Sequence, residues 1–361
     1  MSDGIHFLEG FEGDEDSLVW EAMGLIRDGD FARSGDFGIG HSGLGFSRSE
    51  SPLFPPTTGV IVGFAFRYRQ SGFGGTIPLF ELRGPGDVPH MLLNLDAQSL
   101  LSVYSHNAAG ELVPRAYSTR QLDENAFYYL EVAVSLHATA GRIVVQLNGG
   151  PGAVGETGGE IIDISGIRTV KPGLADPQLF YNQFHVGVMG GFSNESRDFS
   201  FDDFYVRDIE DGFLGDQAVI ALALEDDRAV AFTRLSGPKN YQMLDEIAPD
   251  EDTTYNESDV DEAEDVFEVA DSTFAGTIHA VQLVARAKKT QSQVWTLKTL
   301  LDLGGVKSYG TEYYLSYPDY ETLAPDVFGD APGETGWTLA QLNAIGVGYR
   351  AETPDVRLRG L

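Results

Sequence analysis

The residues whose types and spacing could do chemistry are few. Gly38-Ile39-Gly40-His41-Ser42-Gly43 matches the pattern that seats a dinucleotide pyrophosphate on a helix N-terminus. That chemistry needs a helix after the last glycine. The next residues, Leu44-Gly45-Phe46-Ser47-Arg48, read as another strand, so the run reads as a glycine-rich sandwich loop. The seven histidines, at 6, 41, 90, 106, 137, 185 and 279, never fall at the i, i+2 or i, i+4 spacing of strand or helix metal sites. They read as loop or strand-face residues. His41 and Ser42 are adjacent, so on a strand they point to opposite faces and cannot act as base and nucleophile. No G-x-S-x-G elbow, H-E-x-x-H pair or phosphate-cradling loop occurs.

Carboxylates are abundant, and glycoside hydrolysis needs two of them about 5–10 Å apart across the scissile bond. The acids of Asp202-Asp203 and Glu225-Asp226-Asp227 are adjacent and fall at the ends of expected strands, where turn and capping roles prevail. Hard cations want such oxygens. Asp14, Asp16, Asp250 and Asp252 are the calcium candidates, though neither cluster follows the EF-hand loop, and a solvated acidic loop is the plainer reading. No cysteine is present, which removes disulfides, thiolate metal sites and cysteine catalysis. No catalytic residue is assigned and no cofactor is expected beyond that calcium option.

The elements that must position these groups are strands. Alternating runs at Gly59–Arg69, Ile77–Leu82, Met91–Leu95, Leu100–Ser105, Phe127–Leu136, Arg142–Leu147, Phe184–Met189 and Phe201–Val206 are broken by Gly and Pro. The matching ends Phe7-Leu8-Glu9-Gly10-Phe11-Glu12 and Phe199–Val206 predict first and last strands lying side by side. Residues 1–208 therefore form one antiparallel β-sandwich. Residues 209–216 read as a connector. Residues 217–361 read as a smaller second sandwich, with strands Gln217–Leu224, Gly276–Ala287, Gln293–Leu303, Tyr309–Tyr317 and Gly346–Ala351. One short helix, capped by Thr338, precedes Gly346. The tract 245–271 holds 13 Asp or Glu and no Lys or Arg. Interleaved with Tyr255, Val260 and Phe267, it reads as a long surface loop that docks at intervals. The fold class is all-β.

The formal net charge of −31, with 24 Lys and Arg against 55 acids, argues against a nucleic-acid partner. No apolar run reaches the ~20 residues of a membrane span, so no insertion is expected. Met1-Ser2-Asp3-Gly4 has neither a basic nor an apolar region, so no secretory signal is expected. Trp337 and Tyr255 are the candidate partner contacts, because Trp and Tyr dominate interface energetics.

The frame Phe7-Leu8-Glu9-Gly10-Phe11-Glu12 … Phe201-Asp202-Asp203-Phe204-Tyr205-Val206 resembles the first and last strands of concanavalin A-like, laminin-G-type jelly rolls over about residues 5–208. With Asp211-Gly212-Phe213-Leu214-Gly215-Asp216 after it, and Asp245–Asp250, Thr253-Thr254-Tyr255 and Trp337-Thr338 … Leu342-Asn343-Ala344 beyond, the chain resembles virion structural proteins of tailed bacteriophages. These are tail, tail-fibre or decoration components. The resemblance implies a non-enzymatic particle protein made in the host bacterial cytoplasm. It also implies contacts with other virion proteins, several symmetric copies (trimers or rings), and attachment to a host-surface glycan. A capsid decoration protein or a free carbohydrate-binding module is the alternative, and a glycan hydrolase ranks below both.

Overall fold

A computed structural model describes residues 4–12, 21–23, 25–43, 47–69, 76–148, 159–174, 180–188, 197–244, 252–323 and 326–352. They belong to two compact units, one of Gly4–Glu12 with Trp20–Ile220 and one that includes Ala221–Leu361.

Alternation of apolar and polar residues sorts the first unit into two antiparallel sheets. The eight-stranded sheet runs Gly159–Ile167, Gly141–Asn148, Tyr128–Ser135, Gly59–Tyr68, Arg197–Asp208, Gly38–Gly43 and Ile26–Asp28, with Ile5–Glu9 also on Arg197–Asp208. Phe7 lies opposite Val206 and Leu8 opposite Tyr205, so the two ends of the sandwich do pair. The seven-stranded sheet runs Leu112–Gln121, Leu100–His106, Val88–Asp96, Thr76–Gly84, Gln183–Val188, Ser47–Glu50 and Glu21–Met23. Between the sheets Phe64 stacks on Phe80 with centroids 5.6 Å apart, and Phe184 on Phe204 at 5.7 Å. The architecture is the expected β-sandwich.

Gly38–Gly43 is a strand rather than a loop. It pairs with Arg197–Phe201 on one side and Ile26–Asp28 on the other. Its glycines admit close neighbours: a Cβ on Gly40 would stand 2.3 Å from Phe199 O and 2.4 Å from the Phe31 ring. The dinucleotide reading fails because the run is already hydrogen-bonded in a sheet.

Residues 209–216 are not a free connector. Ile209, Phe213 and Leu214 pack on Tyr129, Tyr205, Ile61 and Ala65, on the outer side of the eight-stranded sheet. The expected strand Gln217–Leu224 begins only at Leu224, because Val219 N–H goes to Asp203 Oδ1 at 2.8 Å instead of a neighbouring strand.

The second unit centres on a six-stranded antiparallel sheet ordered Leu224–Ala229, Glu264–Val269, Gly346–Glu352, Thr296–Leu303 and Val306–Tyr309, with Tyr313–Tyr314 also on Thr296–Leu303. The ribbon of Val281–Leu283 with Asp326–Phe328 forms a second layer over one face, closing on Val269, Leu301, Trp337 and Ile345. The acidic tract is only partly a loop: Glu264–Val269 is an interior strand of this sheet. Its Asp265 is fully buried and accepts Ala231 N–H, Phe232 N–H and Asn240 Nδ2 at 2.7, 2.9 and 2.8 Å. Gly276–Ala287 shortens to Val281–Leu283 and Arg286–Ala287, and Tyr309–Tyr317 contributes only Tyr309 and Tyr313–Tyr314 to strands.

The one α-helix among the described residues, Leu339–Leu342, starts where expected. Thr338 Oγ1 accepts Gln341 N–H at 3.2 Å and Gln341 Oε1 accepts Thr338 N–H at 2.8 Å, a reciprocal capping box. Thr338→Ala is expected to lower stability by about 1 kcal/mol in urea denaturation, with Thr338→Ser close to the parent. Among the described residues no helix is long and apolar enough to cross a membrane.

Candidate functional site

Two polar clusters in the sandwich stand out, and their geometry gives them different roles. The first is buried. Strand Arg197–Asp208 bulges between Asp202 and Tyr205, with Asp203 at φ +54°. Asp202 and Asp203 therefore sit inside a strand rather than at its end, both fully buried. Asp202 Oδ2 accepts Arg33 N–H and Ser34 N–H at 2.7 and 3.1 Å, and its Oδ1 accepts Asp203 N–H at 2.8 Å. Asp203 takes Ser34 Oγ and Val219 N–H on one oxygen and Arg33 Nη1, at 3.0 Å, on the other.

Close by, Glu131 takes the Tyr205 hydroxyl with Leu214 N–H and Gly215 N–H at 2.8 and 3.0 Å, and Asn148 Nδ2 at 2.6 Å. Burial pushes Asp202 up, and the neighbouring Asp203 charge adds to the rise. Burial raises Asp203 as well, against the pull of Ser34, Val219 N–H and Arg33. It raises Glu131 too, against four hydrogen bonds. Every one of these carboxylate oxygens is occupied by a protein donor. The cluster fastens residues 33–34 and 214–219 to the sheet and has no oxygen facing a cleft.

The second cluster lies on the side of the seven-stranded sheet away from the core. Phe80, Leu82, Phe184, Val186, Leu93 and Val103 point inward, so the residues between them point out. His185 lies directly opposite Glu50 on one neighbouring strand and Glu81 on the other. The row continues through Leu92 to Tyr104. His185 Nε2 is 3.6 Å from Glu50 Oε1 and 3.5 Å from Asp87 Oδ1. Arg83 donates to Glu81 and, at 2.5 Å, to Asp87 Oδ1.

In the adjoining row Asn94 lies opposite Ser102, and Ser102 opposite Tyr117. Asn94 and Ser102 are 5% and 0% exposed, yet Asn94 Oδ1 and Ser102 Oγ have no hydrogen-bond partner. Such groups are rare in folded interiors and call for an ordered water. Tyr117 beside them is 53% exposed and Tyr104 half-buried.

Other sequence candidates land elsewhere. Trp337 is a core residue, 8% exposed, with Nε1 donating to Phe328 O at 2.9 Å, which corrects its reading as a partner contact. Tyr255 is half-buried, and its carbonyl accepts Leu235 N–H at 3.0 Å. Asp14, Asp16 and Asp250 lie outside the described residues. Asp252 is exposed and ion-paired with Lys288 Nζ at 2.5 Å. Among the described residues no three His, Asp or Glu converge to hold a metal. Asp226 and Asp227 fall within an edge strand. Asp226 pairs with Lys239, and Asp227 caps the following turn, accepting Asn240 N–H and Tyr241 N–H at 2.9 and 2.7 Å.

Sequence reasoning passed over Glu50, Glu81, Asn94 and Ser102, and placed His185 only as a loop or strand-face histidine. Each occupies a polar slot in an alternating strand and looks like an ordinary solvent-side residue. Glu131 left a clearer signal, being the one charge in the apolar run Tyr128–Val134.

No family model and no curated protein matches the chain. Among solved structures it is similar to lectin II from Ulex europaeus, at 12% identity over 56% of this chain and 97% of that one, TM-score 0.34. It is also similar to the carbohydrate-binding module CBM66 from Bacillus subtilis, at 12% identity over 53% and 97%, TM-score 0.32. A third similarity is to a carbohydrate esterase of the Shiga toxin-encoding bacteriophage phi24B, at 13% identity over 57% and 99%, TM-score 0.37.

Proposed function

We propose that this protein is a non-enzymatic, glycan-binding structural component of a tailed-phage particle. The sugar contact is the outward face of the seven-stranded sheet around Tyr117 and Tyr104. The observation that carries the reading is the exposed Tyr117 beside the half-buried Tyr104 on that face. Saccharide sites combine an apolar ring for the sugar face with a few fixed polar groups for its hydroxyls.

The particle role rests on the resemblance of the paired end strands and the Asp211–Asp216 segment. Ten of the fifteen exposed large apolar side chains among the described residues, from Val230 to Tyr317, belong to the second unit. That favours the second unit as the surface that meets other virion proteins or neighbouring copies in a trimer or ring.

Tyr117→Ala is expected to weaken polysaccharide binding roughly tenfold while leaving the unfolding midpoint unchanged, since the side chain is exposed. Unchanged binding would move the sugar contact off this face. Antibody labelling of purified particles should place the protein at one defined position. Particles lacking it would leave a free carbohydrate-binding module.

A further inference from the structure

We infer that residues 212–219 form a strap on the sandwich that undocks as pH rises, released by the buried carboxylates that fasten it. The strap follows the last strand of the sandwich and the turn Ile209–Asp211, and it precedes the second unit in the chain. It joins no ladder among the described residues. Its bonds to the sandwich go to side chains instead. Leu214 N–H and Gly215 N–H go to Glu131, Val219 N–H goes to Asp203, and Gln217 O accepts from Arg33 Nη1. Phe213 and Leu214 are only half-buried where they pack on Tyr129 and Tyr205. A segment held in this way can leave without opening either sheet.

The fastening groups are short of positive charge. Asp202 and Asp203 are consecutive and fully buried, and the one guanidinium bonded to the pair, Arg33, also serves Asp216. Glu131, fully buried too, is bonded to the Tyr205 hydroxyl, the Asn148 amide and the two strap N–H groups, none of them a cation. The Tyr129 hydroxyl goes to Asp203 O at 2.9 Å, and Arg207, further along the strand, stands 4.0 Å from Asp211. Full ionisation would set Asp202, Asp203 and Glu131 in the interior against one shared guanidinium, and desolvation opposes that. Protons have places to sit. Ser34 Oγ beside Asp203 and the Tyr205 hydroxyl beside Glu131 can accept from a protonated carboxyl as well as donate to an ionised one. Burial and the Asp203 charge push Asp202 up to about 8, and burial raises Asp203 and Glu131. Undocking lets water reach Asp203 and Glu131, so the undocked form ionises in the ordinary carboxylate range. The docked strap is therefore fully favoured below that range and loses ground as pH rises through the raised values. Once free, residues 212–219 add up to about 30 Å of slack after the sandwich.

The test uses the intact chain, which has no cysteine of its own. Ala218→Cys takes a nitroxide at an exposed strap position, and Ser165→Cys takes one on the strand Gly159–Ile167 as a control. Paramagnetic resonance spectra over about pH 5–9.5 should show an immobile strap label at the acid end. A mobile component should grow at least about tenfold up to about pH 8 and then level, with the control unchanged. Asp202 makes no bond to the strap, so Asp202→Asn acts on it through charge and should flatten the rise several-fold. Glu131→Gln keeps an oxygen for Leu214 N–H and Gly215 N–H and should flatten it likewise. The same rise in the parent and both variants overturns the inference, as does a strap label that stays immobile throughout. A control label that loosens together with the strap overturns it too, because the sandwich itself would then be opening.

Discussion

Phe64→Ala should cost about 3–5 kcal/mol, the largest loss expected from any single core truncation in the sandwich. Phe64 is fully buried at the middle of Gly59–Tyr68, the strand flanked by Tyr128–Ser135 and Arg197–Asp208. Its ring stacks on Phe80 of the opposite sheet at 5.6 Å and on Phe204 of its own sheet at 5.4 Å, with Phe201 at 6.2 Å. These neighbours are rigid rings held by two ladders, so they cannot slide in to fill the hole. Both the transfer loss and the cavity term are then near their upper values. Phe64→Leu retains most of the volume and should cost about 1–2 kcal/mol. Urea denaturation followed by near-ultraviolet circular dichroism reads both. A loss below about 1 kcal/mol for Phe64→Ala would mean that the two sheets do not close on this ring.

Whether a strand could be read from the sequence depended on how much of it is buried. Gly59–Tyr68 and Tyr128–Ser135 are interior strands with both faces covered, and their near-continuous apolar runs identify them directly. Leu112–Gln121 and Gly159–Ile167 are the outermost strands of their sheets, exposed at alternate or most positions, and nothing in their composition separates them from loops. The run Gln217–Leu224 fails for the opposite reason. Its alternation is strand-like, but a buried carboxylate, Asp203, captures the Val219 N–H that a ladder would need. Charge misled in the tract 245–271, where a strand that buries Asp265 through three donors looks like solvated chain.

The candidate site was the least legible part, because it exists only through register. Glu50, Glu81 and His185 are scattered along the chain, and each is flanked by residues typical of a half-buried strand. A one-residue slip in any ladder would turn its member of the row into the core. Antiparallel pairing alone brings the three side by side. The same holds for Asn94 and Ser102, which become informative only once their missing partners are visible.

The buried carboxylate cluster yields the second large effect, and its size should depend on pH. Arg33 Nη1 donates to Asp203 at 3.0 Å and to Gln217 O at 2.6 Å, Nη2 reaches Asp216, and the guanidinium lies over the Tyr129 ring at 5.2 Å. Arg33→Ala leaves Asp203, whose side chain is 0% exposed, without its counter-charge. Breaking a buried pair in this way costs about 3–5 kcal/mol, and the partial exposure of Arg33 brings the expectation to about 2–4 kcal/mol near pH 8. The folded pKa of Asp203 is already raised above its unfolded value by burial. Its contribution to stability is therefore fully present below the ordinary carboxylate range and is lost as pH rises through the raised folded value. Removing Arg33 raises that value further, so the variant should lose stability more steeply than the parent as pH increases. As pH falls below the ordinary carboxylate range and Asp203 takes up its proton, the difference should shrink to the lost hydrogen bonds, about 1 kcal/mol. Arg33→Lys keeps the charge but not the fork that reaches Asp203, Gln217 and Asp216 together, so it should fall between the two. Urea denaturation of parent and variants across about pH 4–8 measures this, each variant being compared with the parent at the same pH so that the self-repulsion of a highly acidic chain cancels. A cost that stays constant over that range would mean that Asp203 holds its proton throughout and that Arg33 acts through packing alone.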